Sequence, residues 1–179
     1  MKKPRAFDYD LDFQKVDFRK QPELYRVGVG EQGVLLVEPY KSEILPHWRF
    51  KNPEVARASA EKIYGMFEEY LRQNDFVGAD MARKFLQMGF TRARRYANYA
   101  GGRKYRRDKA VDTSALPYPY SSGSSYKGNG LMPRQPDADT SEKAQAAAIF
   151  KEHWFKAKAH PNYLAQRKAF EEKIRLGQL

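Results

Sequence analysis

The sequence predicts an α+β domain, mostly helical overall, in which a small N-terminal antiparallel sheet packs with about four helices. Three observations carry that expectation. FDYDLDF (residues 7–13) alternates apolar and acidic side chains strictly, the period of a half-buried strand. The runs LYRVGV (24–29) and GVLLVEPY (33–40) flank the glycine-bearing turn GEQG, the pattern of a hairpin. Beyond Asn52 the apolar positions change to a spacing of three and four residues, which is the helical repeat.

The chain has 179 residues, a length that suits a single domain spanning 1–179. Within it, residues 1–50 read as strand-rich, 53–107 as a basic helical pair, 113–138 as a linker and 139–179 as C-terminal helices. Hydrophobic residues make up 41% of the sequence, enough for a core. The mean hydropathy of -0.82 nevertheless demands a very polar surface. Lys and Arg total 33 against 22 Asp and Glu, a net charge of +11. Such an imbalance favours polyanionic partners, although it also serves solubility. There is no cysteine, which excludes disulfides, thiolate metal sites and a thiol nucleophile. The opening MKKPRAFDYDLDF has no apolar run of signal-peptide length, and no stretch approaches a membrane span. A cytoplasmic protein without membrane contact is expected.

The first predicted strand places Phe7, Tyr9, Leu11 and Phe13 on one side and Asp8, Asp10 and Asp12 on the other. Three carboxylates on one face could hold Mg²⁺ beside a phosphate, with Lys2, Lys3 and Arg5 close in sequence. The more ordinary reading is a charged, solvated edge. The following hairpin contains a literal GxGxxG at Gly28, Gly30 and Gly33. A dinucleotide fingerprint needs a helix after the glycines, and the strand-like VLLVEPY follows instead. A kinase glycine loop fits that layout better, but neither an HRD-type catalytic loop nor a DFG is present. The glycines therefore read as turn formers. Glu38 and Lys41 are one residue too far apart for a carboxylate-x-Lys nuclease core. His47, Trp48, Arg49 and Phe50 follow. Here Trp48 reads as packing, Arg49 is kept as a phosphate-binding residue, and His47 lacks a second ligand for a metal.

Asn52, Pro53 and Glu54 form a helix start: a cap, a proline in the first turn and an acid at the positive end. The apolar stripe runs through Ala56, Ala60, Ile63, Phe67, Tyr70 and Leu71, with Gly65 expected to allow close packing. Asp75 caps a second helix, whose apolar face is Ala79, Ala82, Phe85, Leu86, Gly89, Phe90, Ala93 and Ala97, with Tyr96 beside it. The opposite side is expected to expose Arg83, Lys84, Gln87, Arg94, Arg95 and Asn98, with Arg92 at the flank. Gly101 and Gly102 end the helix, and Arg103, Lys104, Tyr105, Arg106 and Arg107 form a basic tail. No Asp or Glu lies between Arg83 and Arg107 to neutralise this charge. Clustered Arg and Lys suit phosphate contacts, and Tyr96, Tyr99 and Tyr105 suit stacking on unpaired bases. The charge comes too late in the second helix for a helix-turn-helix reading of the major groove.

The segments LYRVGVGEQGVLLVEPYKSEILPHWRF and GADMARKFLQMGFTRARRYANYAGGRKY resemble an uncharacterised family of small basic proteins of bacteria and their phages, known only as a domain of unknown function. The resemblance covers roughly residues 7–105 and the HPNYLAQRKAF segment. It implies a cytoplasmic protein with a discrete fold, and it offers no catalytic or binding residue to carry over.

Residues 115–136 are rich in Pro, Gly, Ser and Tyr, the composition of a linker. Tyr118, Tyr120 and Tyr126 could pack on the helical pair or lie along a nucleic-acid groove. Asp139 or Ser141 starts a helix with Ala144, Ala148, Ile149, Trp154 and Phe155 as packing positions. His160 and Pro161 open a last helix in which Tyr163, Leu164, Phe170, Ile174 and Leu176 can bury. His153 and His160 read as surface or capping residues. The leading expectation is thus a non-enzymatic nucleic-acid-binding protein, needing no cofactor or metal. The alternatives are a metal-dependent enzyme using Asp8, Asp10 and Asp12, and an adaptor for an acidic protein partner.

Overall fold

The structure is a computed structural model that describes residues 7–109 and 126–179. Five α-helices make it up: α1 (Tyr40–Ile44), α2 (Pro53–Arg72), α3 (Phe76–Asn98), α4 (Glu142–Lys158) and α5 (Pro161–Leu176). Three short 3₁₀ turns, Pro22–Leu24, Leu45–His47 and Ala100–Gly102, connect them. The described residues contain no β-strand, only two isolated bridges. The fold is therefore all-helical, and the expected α+β class with its N-terminal sheet is corrected.

The periodicity in residues 7–13 was real, but it does not specify a ladder. Phe7 is buried, Tyr9, Leu11 and Phe13 pack on the core, and Asp8, Asp10 and Asp12 are exposed. The acidic side chains take the backbone donors for themselves. Asp8 Oδ1 accepts from the Asp10 N–H at 3.0 Å, and Asp12 Oδ1 from the Gln14 N–H at 3.3 Å. Such local bonds compete directly with strand pairing. Residues 24–40 fail to form a hairpin for a different reason. The chain from 29 to 36 makes successive turns, with Gln32 N donating to Val29 O, Val34 N to Glu31 O and Leu36 N to Gly33 O. Carbonyls of this stretch, in the expected strand and in its turn, are occupied by a cation from α3. Lys84 Nζ donates to the carbonyls of Val27 and Gln32, each at 2.6 Å. Gly33, at φ +78, lies flat against Phe7, and a Cβ there would sit 2.1 Å from that ring.

Helix α2 begins as its sequence requires: Asn52 Oδ1 accepts from the Val55 N–H at 2.9 Å, and Pro53 takes the first turn, where its missing donor costs nothing. Its whole predicted stripe is buried. Asp75 caps α3 through the Gly78 N–H at 3.1 Å and also accepts from the Tyr40 hydroxyl at 2.7 Å. Helix α3 is the axis of the molecule, packing most extensively on α4 and α2. From Phe76 to Leu86 every residue is buried, so this half of the helix has no solvent face. Gly89 permits the close approach of α4: a Cβ would lie 2.2 Å from Phe150. Gly65, expected to do the same, faces open space.

Ser141, of the two caps the sequence allowed, starts α4 by accepting from the Ala144 N–H at 3.2 Å. Helix α4 buries Ala144, Ala146, Ala147, Ile149, Phe150, His153 and Ala157. The expected Ala148 and Phe155 are exposed. His153 is buried and bonded to the Ile149 carbonyl at 2.8 Å, not a surface residue. His160 caps α5 by accepting from the Asn162 N–H at 3.2 Å. Tyr163 and Phe170 bury, whereas Leu164 and Leu176 remain exposed. On the N-terminal side, Arg19 grips Glu43 with two bonds of 2.7 and 2.8 Å, and the Tyr70 hydroxyl donates to the same carboxylate at 2.6 Å. That network ties the irregular first third to α1 and α2. No helix among the described residues is long and apolar enough to cross a membrane.

Candidate nucleic-acid interface

The basic residues of α3 divide into two groups with different surroundings. Arg83 and Lys84, expected on the exposed face, are buried at 7% and 0% exposure. Both converge on Asp80, which is itself completely enclosed. Arg83 Nε donates to Asp80 at 2.7 Å, and Lys84 Nζ lies 3.7 Å from the same carboxylate. The hydroxyls of Tyr25 and, at 2.7 Å, Tyr163 complete the shell. Arg83 also donates to the Gly30 carbonyl, and Lys84 sits over the rings of Phe7 and Tyr25. Burial alone would raise the Asp80 carboxyl, but the two cations outweigh it and hold it well below the usual range. Burial pushes the Lys84 ammonium down to about 8, with Asp80 opposing. The Tyr25 hydroxyl is pushed up by burial and by the adjacent Asp80. This constellation fastens the N-terminal segment and α5 to α3, and it offers no surface to a partner. Its signal was present in the sequence: Asp80 stands three and four residues before the two cations, inside an otherwise apolar stretch.

The later half of α3 emerges from the core. Arg94 is half-buried and already engaged, donating to Asn98 Oδ1 at 3.0 Å and to the Ala138 carbonyl, with Asp139 at 3.8 Å. It anchors the approach to α4. Arg92 and Arg95 are half-buried and Tyr96 is exposed. The Glu31 carboxyl feels both arginines, yet its hydrogen bond comes from the Thr91 hydroxyl at 3.0 Å, and burial raises it despite those charges. Gly101 and Gly102, both at positive φ, then turn the chain so that residues 103–107 run back beside the helix end.

These tail residues are not a loose extension. Arg106 N donates to Gly130 O at 2.8 Å, and Met132 N to Lys104 O at 2.9 Å, around the antiparallel bridge of Tyr105 with Leu131. Asn129 Nδ2 donates to the Arg106 carbonyl at 2.8 Å, and Gln135 N to the Asn98 carbonyl at 2.7 Å. Residues 126–138, read as linker, are thus pinned to the end of α3. The rest of that stretch, with Tyr118 and Tyr120, lies outside the described residues, as do Lys2, Lys3 and Arg5.

Between the helix end and the tail lies a pocket of about 180 Å³. Arg92, Arg95, Arg103, Lys104 and Arg107 line it together with Tyr96, Tyr105 and Tyr126. Among the described residues no carboxylate stands within ion-pair distance of these five cations, or of Arg106. Lys104 lies 5.5 Å from the Tyr105 ring centre and Arg107 5.3 Å from that of Tyr126. Tyr99 caps the helix through its backbone and does not line the pocket. Arg49 is exposed and donates to its neighbour's carbonyl at 2.9 Å. The adjacent Phe50 touches Tyr96, and Lys143 from α4 sits over both rings. Nothing in the local sequence marked Lys143, because only the docking of α4 brings it there. Asp8, Asp10 and Asp12 stay apart on the surface, and the described residues hold no cluster of acidic or histidine side chains able to ligate a metal.

No curated protein and no solved structure matches the chain. One family model does, over residues 8–173, nearly the whole length, and the chain accordingly belongs to the family described as Domain of unknown function (DUF4385).

Proposed function

We propose that the protein binds nucleic acid without catalysing a reaction on it, using the pinned basic surface at the end of α3. The observation that carries this reading is the pocket in which five cations and three tyrosines meet, with Glu31 close enough to be felt by Arg92 and Arg95 but no carboxylate of the described residues within ion-pair distance. Arg92, Arg95, Arg103, Lys104, Arg106 and Arg107 supply phosphate contacts, Tyr96, Tyr105 and Tyr126 offer rings for unpaired bases, and Arg49 and Lys143 extend the field. Holding so much like charge together costs stability unless a partner neutralises it. Arg83 and Lys84 are left out because their charge is spent internally, and Arg94 because it anchors Ala138. We expect the protein in the cytoplasm, where such a partner is at hand.

The test is a salt titration of binding to duplex DNA, single-stranded DNA and RNA. Each duplex phosphate neutralised steepens the log–log slope by about 0.9. The double variant Arg103→Glu/Arg107→Glu should weaken binding to every sequence and flatten the slope by roughly 2 on duplex. Lys168→Glu, an exposed change on α5, should leave it unchanged. Unaltered affinity in the double variant would refute the surface. Displacement by an acidic polypeptide, with no nucleic acid bound at low salt, would assign it to an acidic protein partner instead.

A further inference from the structure

Resting on that reading, we infer that the pocket at the end of α3 recognises the terminal phosphate group of a nucleotide, a phosphomonoester or an oligophosphate, in preference to phosphodiesters within a strand. The first argument is charge density. An internal phosphodiester carries one negative charge, and successive ones are spread along the strand. A pocket of about 180 Å³ meets few of them, yet five cations border it. A monoester carries about −1.5 to −2 near neutral pH, and an oligophosphate more, which matches a cluster this concentrated. Four of the five are arginines, whose planar forks pair two-by-two with phosphate oxygens.

The second argument is preorganisation. Hydrogen bonds to Gly130, Met132 and Asn129 hold the backbone of residues 104–106, so Arg103, Lys104 and Arg107 project from a fixed edge. A binding edge already in place loses little freedom on association, which suits a compact ligand. The third is the placement of the rings. Lys104 and Arg107 each lie against a tyrosine, so a base stacked on Tyr105 or Tyr126 would put its phosphate near that cation. An aromatic face next to a concentrated cationic site fits a nucleotide better than bare inorganic phosphate.

The experiment uses the full chain and one oligonucleotide about ten residues long, prepared with a 5′-hydroxyl, a 5′-monophosphate or a 5′-triphosphate. Fluorescence anisotropy at fixed salt should give affinity rising in that order, by about tenfold or more from hydroxyl to triphosphate. Arg103→Ala/Arg107→Ala should abolish the preference, while Arg103→Lys/Arg107→Lys should restore part of it. Circular dichroism should show both variants folded, since these side chains are exposed. A free nucleoside triphosphate that displaces the triphosphorylated strand at equal concentration assigns the site to soluble nucleotides, and failure to displace assigns it to chain ends. Equal affinity for all three ends overturns the inference and leaves nucleic-acid binding standing. Inorganic tripolyphosphate competing as well as the nucleoside triphosphate overturns the role of the rings. Absence of any nucleic-acid binding, with no nucleotide bound either, removes both proposals together.

Discussion

Replacing Asp80 by Asn would remove one charge from the core and change almost nothing in shape. Its consequence can be worked from the contacts. Among the described residues Asp80 is the sole carboxylate within ion-pair distance of Arg83 and Lys84, both buried, and it also accepts from Tyr25 and Tyr163. An amide can satisfy part of the hydrogen bonding, but it leaves two cations in the interior without a counter-charge. Breaking a buried pair in this way costs about 3–5 kcal/mol, out of a total near 5–15 kcal/mol for a domain. Urea unfolding followed by circular dichroism should therefore show a fall of at least about 3 kcal/mol at an unchanged m-value. Lys84→Met alone should cost about 1–3 kcal/mol, because the carbonyls of Val27 and Gln32 lose their donor. The double variant should cost less than the sum, by about 1–3 kcal/mol, since the amide at position 80 no longer faces a stranded ammonium. Additive losses, or an Asp80→Asn variant within about 1 kcal/mol of the parent, would refute the view that this cluster fastens the fold.

The same cluster sets the pH response. Asp80 has its carboxyl depressed in the folded state, so its stabilisation is present above the ordinary carboxylate pKa and is lost as pH falls below it. Lys84, also depressed, acts in the same direction on the alkaline side. Between about 8 and 10.5 the folded chain releases a proton that the unfolded chain keeps, so stability should rise with pH there, by up to about 1.4 kcal/mol per unit. That rise should vanish in Lys84→Met, and in the parent stability should fall again above about pH 10, where the raised hydroxyls of Tyr25 and Tyr163 favour unfolding; urea midpoints across about pH 7–11 check both. Two glycines in the long helices should respond with opposite signs in thermal unfolding. Gly65→Ala meets open space and should stabilise by about 0.5–1 kcal/mol, whereas Gly89→Ala drives a methyl into Phe150 and should destabilise by about 1–3 kcal/mol. Trp48→Phe removes the 3.1 Å bond to the Phe85 carbonyl and should cost about 1–2 kcal/mol in urea unfolding.

What local sequence could dictate, it did. The caps at Asn52 and Asp75 and the buried stripe of α2 follow from residues close to one another in the chain, whereas α3 stops at Asn98, before the expected Gly101 and Gly102, which shape the turn after it. The alternation at residues 7–13 correctly told which side chains turn inward, and the absence of acid between Arg83 and Arg107 marked charge with no neighbour in sequence. Period alone does not say whether an extended segment finds a partner strand. Here the acceptors at Val27, Gly30 and Gln32 were claimed by Lys84 and Arg83, more than fifty residues away in the chain.

Tertiary structure decided which cations remain available. Helix α3 carries basic residues on both sides of its midpoint, and a helical wheel treats them alike. Only the enclosure of its first half by α2, α4, α5 and the N-terminal segment turns Arg83 and Lys84 into core residues. Only the pairing of residues 104–106 with 130–132 folds the tail into a walled pocket and brings Tyr126 to it. Composition established that the chain is strongly basic. Whether a given charge meets a carboxylate, a carbonyl or solvent depends on contacts between segments far apart in sequence, and those exist only once the chain has packed.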